Sequence, residues 1–461
     1  MSVLSKAKFW TGLWAGRFFI WYFGLTGQRK DDRPGYLVRR IDPTFMKDVA
    51  KAKYVVAVCG TNGKTGITSI LASMYDLAGR KWASNNWGAN DFSGEAWALL
   101  DSVNIFNKPT KEVTIVEGDE IDTKLVYPEM QPNYVIITNI ARDSIFRNAY
   151  PEYVRDHMES GINSIKDVTL ILNGDDPISF DISPEKKRVY YGVCDMGYPQ
   201  NTYGINEFTI CPKCGSEPEY IYRNYRHIGR FKCPKCGYGS PEIDYLVTEV
   251  RDNDIIIKEK EGSFSYPRIG EEVHNVYNTA AIVAYMRTVG FRPEEISDLL
   301  SKVELPKNRM MKETVNGIEV LCETIKSQNS TATSVMYEAI SREEGEKEIV
   351  MVMDEEFSKE EGPLCEVGTY IYDIDYEFLN DEHIKKIILA GDRCLDHKIR
   401  AMMAGIPEEK MVVTRKNLDA VQYVDVEGID KIYVLRNYFK QTNGTKVYEE
   451  VLKKVAQGGK R

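Results

Sequence analysis

Basic charge, histidine and long apolar runs are what this sequence has least of. Lysine and arginine total 60 against 69 aspartate and glutamate, a formal net charge of −9, whereas a nucleic-acid backbone is bound through a basic footprint. Nucleic acid is thereby excluded as the main partner. There are only five histidines, none obviously paired with a thiol, and no cysteine sits in a Gly-x-Cys-x-Gly turn. The chain therefore has no imidazole-activated thiol of its own. The aromatic run from Phe9 to Gly24 is interrupted by Arg17, well short of the ~20 apolar residues of a spanning helix. No small-residue cleavage site comes after it, so secretion is not expected. Two readings of this run stay open: a helix packed on the protein, or one lying in a membrane interface with Lys6, Lys8 and Arg17 near the headgroups. The nine cysteines also lack disulfide-like pairing. Four are grouped, and Cys59, Cys194, Cys322, Cys365 and Cys394 are scattered, which predicts a reducing cytoplasm; the interfacial reading of the aromatic run would set the chain at the inner face of the membrane. Repeats and low-complexity tracts are absent.

What is present is a long chain, 461 residues with 43% hydrophobic, enough for two or three domains that each bury a core. Tyr54–Cys59 is a β-branched apolar run, and the apolar residues from Thr65 to Leu77 recur at helical spacing. Val113–Val116, Tyr134–Ile137 and Thr169–Leu172 are further buried-strand candidates, separated by segments of helix length. This alternation predicts an α/β core with a mainly parallel sheet. From about 205 to 245 the pattern breaks, with Glu219–Tyr222 and Arg230–Lys232 as a candidate hairpin. A helix over Val276–Val289 comes next, then a hinge at Leu305–Asn308. Glu348–Met353, Lys386–Ala390 and Lys431–Leu435 predict a smaller α/β domain at the C-terminus. The expected divisions are an N-terminal helix and linker over 1–44, a central domain over 45–306 and a C-terminal domain over 307–461.

Gly60-Thr61-Asn62-Gly63-Lys64-Thr65 lies at the junction between the first strand and its helix. Val58 replaces the first glycine of the usual phosphate-loop spacing, yet the mechanism survives. Backbone N–H groups and the helix N-terminus can bind phosphate oxygens, Lys64 adds a mobile positive charge, and the Thr65 hydroxyl can reach Mg²⁺. Magnesium also favours carboxylates at the ends of neighbouring strands. Glu117, in Glu117-Gly118-Asp119-Glu120, is the candidate there, and Asp143 is a weaker one.

The second chemical signature is Cys-Pro-Lys-Cys-Gly, which occurs at 211–215 and again at 233–237. The C-x₂-C-x₁₈-C-x₂-C spacing of Cys211, Cys214, Cys233 and Cys236 fits a closed Zn²⁺ site, in which four thiolates leave no open position for catalysis. His227 is surplus to that shell and is expected at the surface.

These residues together resemble the Mur ligase family, which joins a carboxylate to an amine through an acyl phosphate. Besides the GTNGKT loop, Asn86-Trp87-Gly88-Ala89-Asn90 is similar to its N-x-G-A-N segment. Leu172-Asn173-Gly174-Asp175-Asp176-Pro177 is similar to its L-N-x-D-D-P segment, and His274-Asn275-Val276-Tyr277-Asn278 resembles the asparagine pair near adenine. The resemblance implies a Mur-ligase-type central domain with the zinc ribbon inserted, and adds Asn275, Asn278 and Arg309 to the ATP-binding set. The ribbon, with Gly391-Asp392-Arg393 and Asp396, resembles the MurT branch in particular. That branch implies a GatD-like glutaminase partner in a heterodimer. It also implies amidation of the D-glutamate of the lipid II stem peptide to D-isoglutamine. The roughly 59 residues before the loop are too few for a full UDP-binding domain, in keeping with a lipid-linked substrate.

The resemblance further implies a C-terminal aspartate that supports the partner's Cys-His pair. Its segment is eroded here to Met353-Asp354-Glu355-Glu356-Phe357, so Asp354 is the choice and Asp373 the alternative. The expected K-N-P-x-G reads Lys326-Ser327-Gln328-Asn329-Ser330, and the histidine expected after Asp143 is Ser144. Two other readings therefore stay open: a ligase adding an amino acid to another cell-envelope or polyglutamate acceptor, and a non-catalytic nucleotide-binding scaffold.

Overall fold

A computed structural model describes residues 2–27, 32–87, 89–143, 150–198, 204–270, 272–303, 310–325, 329–354, 368–437 and 441–458. Three helices lead in: α1 (Val3–Thr26), α2 (Arg33–Ile41) and α3 (Phe45–Asp48). Ser2 caps α1 by accepting from the Ser5 N–H, and Gly27 ends it in the left-handed conformation. These helices share a core with the first sheet domain, since Phe9, Leu13, Val38 and Phe45 cluster with Val55, Leu100 and Tyr127.

The alternation read in the sequence is realised as β1 (Tyr54–Cys59), α4 (Lys64–Leu77), β2 (Trp82–Ser84), α5 (Phe92–Asp101), β3 (Val113–Glu117), α6 (Thr123–Met130), β4 (Tyr134–Ile137), α7 (Pro151–Asn163), β5 (Thr169–Asn173) and β6 (Lys187–Val193). Val55 to Cys59 and Val113 to Glu117 are buried along their lengths, as strands covered on both faces must be. The hairpin β7 (Glu219–Tyr225) and β8 (Ile228–Lys232) is separate from the main sheet. Then β9 (Tyr245–Val250), β10 (Asp254–Glu259) and β11 (Gly262–Pro267) complete a nine-stranded sheet of order β11-β10-β9-β6-β5-β4-β1-β3-β2. Its pairings are parallel from β2 through β9 and antiparallel at β9-β10-β11. Because β1 lies between β3 and β4, the chain leaves its carboxyl end at a point where successive strands go to opposite sides. Ligands of open α/β sheets bind at such a switch point. Helices α8 (Val273–Thr288) and α9 (Pro293–Ser301) come after the sheet.

The second sheet is built from β12 (Met310–Val315), β13 (Ile318–Ile325), α10 (Ser330–Arg342), β14 (Lys347–Val352), β15 (Ile384–Ala390), α11 (Cys394–Met403), β16 (Met411–Thr414), β17 (Lys431–Asn437) and α12 (Gln441–Gly458). Its six strands are ordered β12-β13-β17-β14-β15-β16. Only the β12–β13 pairing is antiparallel. Asn329 starts α10 by accepting from the Ala332 N–H.

Two units emerge. The first holds Met1–Ala141, Pro151–Tyr198 and Phe208–Leu305, and the second holds Arg142–Tyr150, Pro199–Glu207 and Pro306–Arg461. The architecture is thus a large, mainly parallel α/β sheet domain followed by a smaller α/β domain. The hinge residues Leu305–Asn308 lie outside the described residues.

Candidate active site

At the carboxyl end of β1 the chain turns through Gly60–Gly63 and enters α4 at Lys64. Gly63 has φ 95°, and a Cβ there would stand 2.4 Å from Asn278 Oδ1, so both conformation and space require glycine. The same contact brings α8 over the loop. Asn275, one turn earlier on α8, lies instead against Gly270, where a Cβ would meet its Nδ2 at 2.5 Å. The far wall comes from the segment after β4. The Thr61 N–H donates to Asn139 O at 2.8 Å, the Thr61 hydroxyl to Ala141 O at 3.1 Å, and Asn139 Nδ2 to Asn62 O at 3.1 Å. Asp176 fixes that segment in turn, accepting from the Ile140 N–H at 2.9 Å and from the Ser179 hydroxyl at 2.5 Å.

Lys64 is buried, and its Nζ contacts Gly60 O at 2.6 Å and Glu120 Oε1 at 2.5 Å. Burial by itself would lower the Lys64 pKa. The Glu120 carboxylate, with Glu117 beyond it, more than offsets this and holds the ammonium above its ordinary value. Glu120 is pushed up by burial, against the pull of Lys64. Burial disfavours the charged form of both groups, and their direct contact opposes it. Thr65 Oγ1 donates to Glu117 Oε1 at 2.9 Å. Glu117 is clamped through its backbone by Asn85, whose Oδ1 accepts from the Glu117 N–H at 2.8 Å while its Nδ2 donates to Glu117 O at 2.8 Å. Glu117, Asp119 and Glu120 are all buried. Glu120 and Glu117 beside one lysine, with Asp119 acting on Glu120 in turn, give an acidic surplus beside a helix N-terminus whose first N–H groups lack intrahelical partners. Such a place suits a phosphate together with a divalent cation.

The structure therefore brings Lys64, Thr65, Glu117 and Asn278 together. It leaves Asn275 one helical turn away and Asp143 buried in a segment of the second unit. Arg309 and Ser144 lie outside the described residues. Sequence reasoning missed Asn85 and the specific part of Glu120. Glu120 was visible as an acid three residues beyond Glu117, but only the fold shows that it reaches Lys64.

The four sulfurs of Cys211, Cys214, Cys233 and Cys236 lie within 4.8 Å of one another. Cys211 and Cys236 are 3.6 Å apart, and Cys214 and Cys233 3.5 Å, close to the ~3.8 Å sulfur spacing of a tetrahedral Zn²⁺ site with ~2.3 Å bonds. Each Cys-Pro-Lys-Cys-Gly copy forms the same turn, in which the Gly215 N–H donates to Cys211 O and the Gly237 N–H to Cys233 O, both at 2.9 Å. The ribbon is seated by Phe180, Phe208 and Phe231, and Tyr238 donates to Asp181 at 2.8 Å.

The expected surface position of His227 is wrong. At the tip of the β7–β8 hairpin it is buried, with Nε2 3.5 Å from Asp176 Oδ1. The tip folds back onto the Asp175–Asp176 segment, where the Gly229 N–H donates to Asp175 O at 2.8 Å. Burial raises the Asp175 pKa to about 6, against bonds from the Val193 N–H and the Tyr277 hydroxyl.

In the second unit Asp354 follows β14 and is buried. Asn417 Nδ2 donates to its two oxygens at 3.0 and 2.8 Å, Asn443 Nδ2 to Oδ2 at 2.6 Å, and Asn437 Nδ2 to its backbone carbonyl at 2.7 Å. Three amides thus fix the orientation of this acid. Asp373 instead ends a short 3₁₀ helix and pairs with Arg142 at 3.5 Å. Glu355, Glu356, Phe357 and Lys326–Gln328 lie outside the described residues.

Comparison with known proteins matches both units. The Mur ligase middle domain model covers residues 58–210, and the MurT ligase C-terminal model covers 326–440. The chain is 25% identical over 437 residues to the lipid II isoglutaminyl synthase (glutamine-hydrolyzing) subunit MurT of Streptococcus pneumoniae, covering 93% of this chain and 94% of that protein. To the Staphylococcus aureus MurT it is 25% identical over 399 residues, 84% and 86% of the two chains. Among solved structures, a pseudomurein peptide ligase type C from Methanothermus fervidus superposes with TM-score 0.68 at 18% identity over 91% of this chain and 84% of that one. MurF of Thermotoga maritima in complex with ADP superposes with TM-score 0.57 at 16% identity over 89% and 82%. One stretch of this chain is thus matched by the Mur ligase middle domain model and another by the MurT ligase C-terminal model, and the chain is MurT-like over most of its length.

Proposed function

We propose that this chain is the ATP-dependent carbon–nitrogen ligase subunit that amidates the D-glutamate α-carboxylate of the lipid II stem peptide to D-isoglutamine. Its ammonia comes from a separate glutaminase subunit of the GatD type. The observation that carries this reading is the match to MurT subunits over 93% of this chain and 94% of the pneumococcal relative, in a chain that retains the GTNGKT phosphate loop. A carboxylate is a poor electrophile until its oxygen becomes part of a leaving group. Transfer of a phosphoryl group from ATP supplies an acyl phosphate, which ammonia attacks at carbon, releasing inorganic phosphate.

In this reading the N–H groups at the start of α4 and the Lys64 ammonium receive the nucleotide phosphates. Lys64 must exchange its Glu120 contact for phosphate oxygen. Thr65 and Glu117 hold Mg²⁺, which when bound offsets the charge of the transferring group. Asn278 on α8 faces the nucleotide, and Asn275 and Arg309 are assigned to ATP by the family resemblance alone. The four cysteines hold a structural Zn²⁺. Asp354, fixed by its asparagines, is the residue presented to the glutaminase. The central domain is assigned to 45–306 and the C-terminal domain to 307–461, in a cytoplasmic setting at the inner membrane face.

The test is ADP release by the chain copurified with its glutaminase, supplied with lipid II, glutamine and ATP. Turnover should require all components and should fall ~10²-fold or more in Lys64→Ala. A non-catalytic scaffold would leave turnover of the complex unchanged by that substitution. One observation favours a second reading, an amino-acid-adding ligase: the eroded segment after Asp354. It would show as turnover by the chain alone with an amino acid in place of ammonia.

A further inference from the structure

Helix α1 is apolar on two opposite faces. Phe9, Gly12, Leu13, Gly16 and Phe23 are buried, and Phe9 and Leu13 enter the core of the first unit. At 3.6 residues per turn, Trp14, Phe18, Trp21, Tyr22 and Leu25 fall within a single arc of about 100° on the other side. Ala7 and Thr11 share that arc, and no charged residue does. A helix side turned to water is ordinarily polar. Here Trp14 is 56% exposed, Phe18 54%, Trp21 59% and Leu25 68%.

The surface extends beyond the helix. Trp14 Nε1 donates to Ile105 O at 3.0 Å, which seats the loop after α5 beside the helix. In that loop Ile105 is 50% and Phe106 67% exposed. Two segments some ninety residues apart in sequence therefore join their apolar side chains into one patch, larger than scattered surface apolar residues would form.

Composition and charge say what covers the patch. Tryptophan, tyrosine and phenylalanine are the side chains that settle at the boundary of lipid and water. The arc is bordered by the exposed Lys6 on one side and Lys8 on the other, exposed Lys108 lies in the loop, and α1 contains no acidic residue. This arrangement complements an anionic lipid surface. Among the described residues no helix is long and apolar enough to cross a membrane. With its other face committed to the protein core, α1 can only lie in the plane of a bilayer.

We propose that α1 and the 104–108 loop form a membrane-docking face that sets its aromatic side chains into the headgroup layer of an anionic bilayer. The inference rests on this surface alone and holds whatever acceptor the phosphate-loop site serves, so its failure and that of the amidation reading are separable.

The experiment is cosedimentation of the full-length chain with vesicles of phosphatidylcholine mixed with phosphatidylglycerol, and with phosphatidylcholine alone. The expected result is binding to the anionic vesicles, weaker to neutral ones, with a blue shift of tryptophan emission. Phe18→Ser with Trp21→Ser, and separately Phe106→Ser outside the helix, should reduce partitioning by ~10-fold or more per aromatic removed, without lowering the melting temperature or nucleotide binding. Failure of the parent chain to bind either vesicle overturns the proposal, as does unaltered binding by Phe106→Ser and the double variant alike. So does loss of glutaminase binding or self-association in these folded variants with vesicle binding unchanged, which would make the patch a protein interface.

Discussion

Lys64 is buried beside Glu120, and Asp354 is buried among asparagines, and the contrast separates two kinds of work. Lys64 holds a charge partner that a phosphate can replace. Asp354 has amide donors on both oxygens, which fix its orientation through neutral groups. In the proposed reading Asp354→Asn should abolish glutamine-driven amidation while leaving amidation from added ammonium salt within about threefold, since the phosphate loop is untouched. Loss of both activities would place Asp354 in the ligase reaction itself. His397 yields a prediction of sign. Buried against the Tyr376 hydroxyl, it has its pKa lowered to about 3 by burial and, secondarily, by Arg393. Between the unfolded value near 6.5 and this folded value the unfolded chain binds the extra proton. The stability it contributes is therefore fully present above pH ~6.5 and drains as pH falls toward ~3. His397→Gln should flatten that part of the acid-unfolding profile, and the His397 ring resonances should not titrate above pH ~4 in the folded protein; a midpoint near 6 would contradict its burial. At this scale the loop and the cysteines were legible because each sits at a fixed short spacing, and Glu117 because it directly follows the apolar run Val113–Val116. The sequence could not show Asn85 gripping Glu117, or Glu120 reaching Lys64, because those contacts exist only after β2, β3 and β1 pair.

Among the elements, the buried parallel strands were readable because both faces are covered and the runs are continuously apolar. β1, β3, β4 and β5 fall where the apolar runs lie. The strands that were not read have physical reasons for silence. β2 is three residues long, and β9, β10 and β11, at one end of the sheet, mix buried and open positions, so their apolar runs are short and interrupted. His227 was misplaced for a related reason: a polar hairpin tip looks like surface until it folds onto Asp175 and Asp176. The ribbon carries its own test. Its apolar seat is small, the aromatic cluster of Phe180, Phe208 and Phe231 with Tyr222, Tyr225 and Ile228 of the hairpin, so metal should supply much of its folding energy. The purified chain should contain one equivalent of zinc. Cys233→Ser or a strong chelator should remove it and open the amides of residues 219–232 to hydrogen exchange, while those of β1 and α4 stay protected. Full protection of the hairpin after zinc loss would contradict a structural metal site.

For the whole molecule, two domains that match separate Mur ligase and MurT models now stand on one acidic chain with a phosphate loop and no imidazole-activated thiol apparent in its sequence. The phosphate loop and ribbon pointed to this architecture from sequence, because their chemistry is local. The acceptor and the ammonia source belong to the whole assembly and are accessible only to chemistry. The direct measurement is mass spectrometry of the lipid II stem peptide after incubation with ATP, glutamine, this chain and its glutaminase. The account predicts that the D-glutamate α-carboxylate becomes an amide, with one ADP formed per amide and at least ~10²-fold less formed by Lys64→Ala. An unmodified stem peptide, or an amino acid added by this chain without the glutaminase, would contradict it.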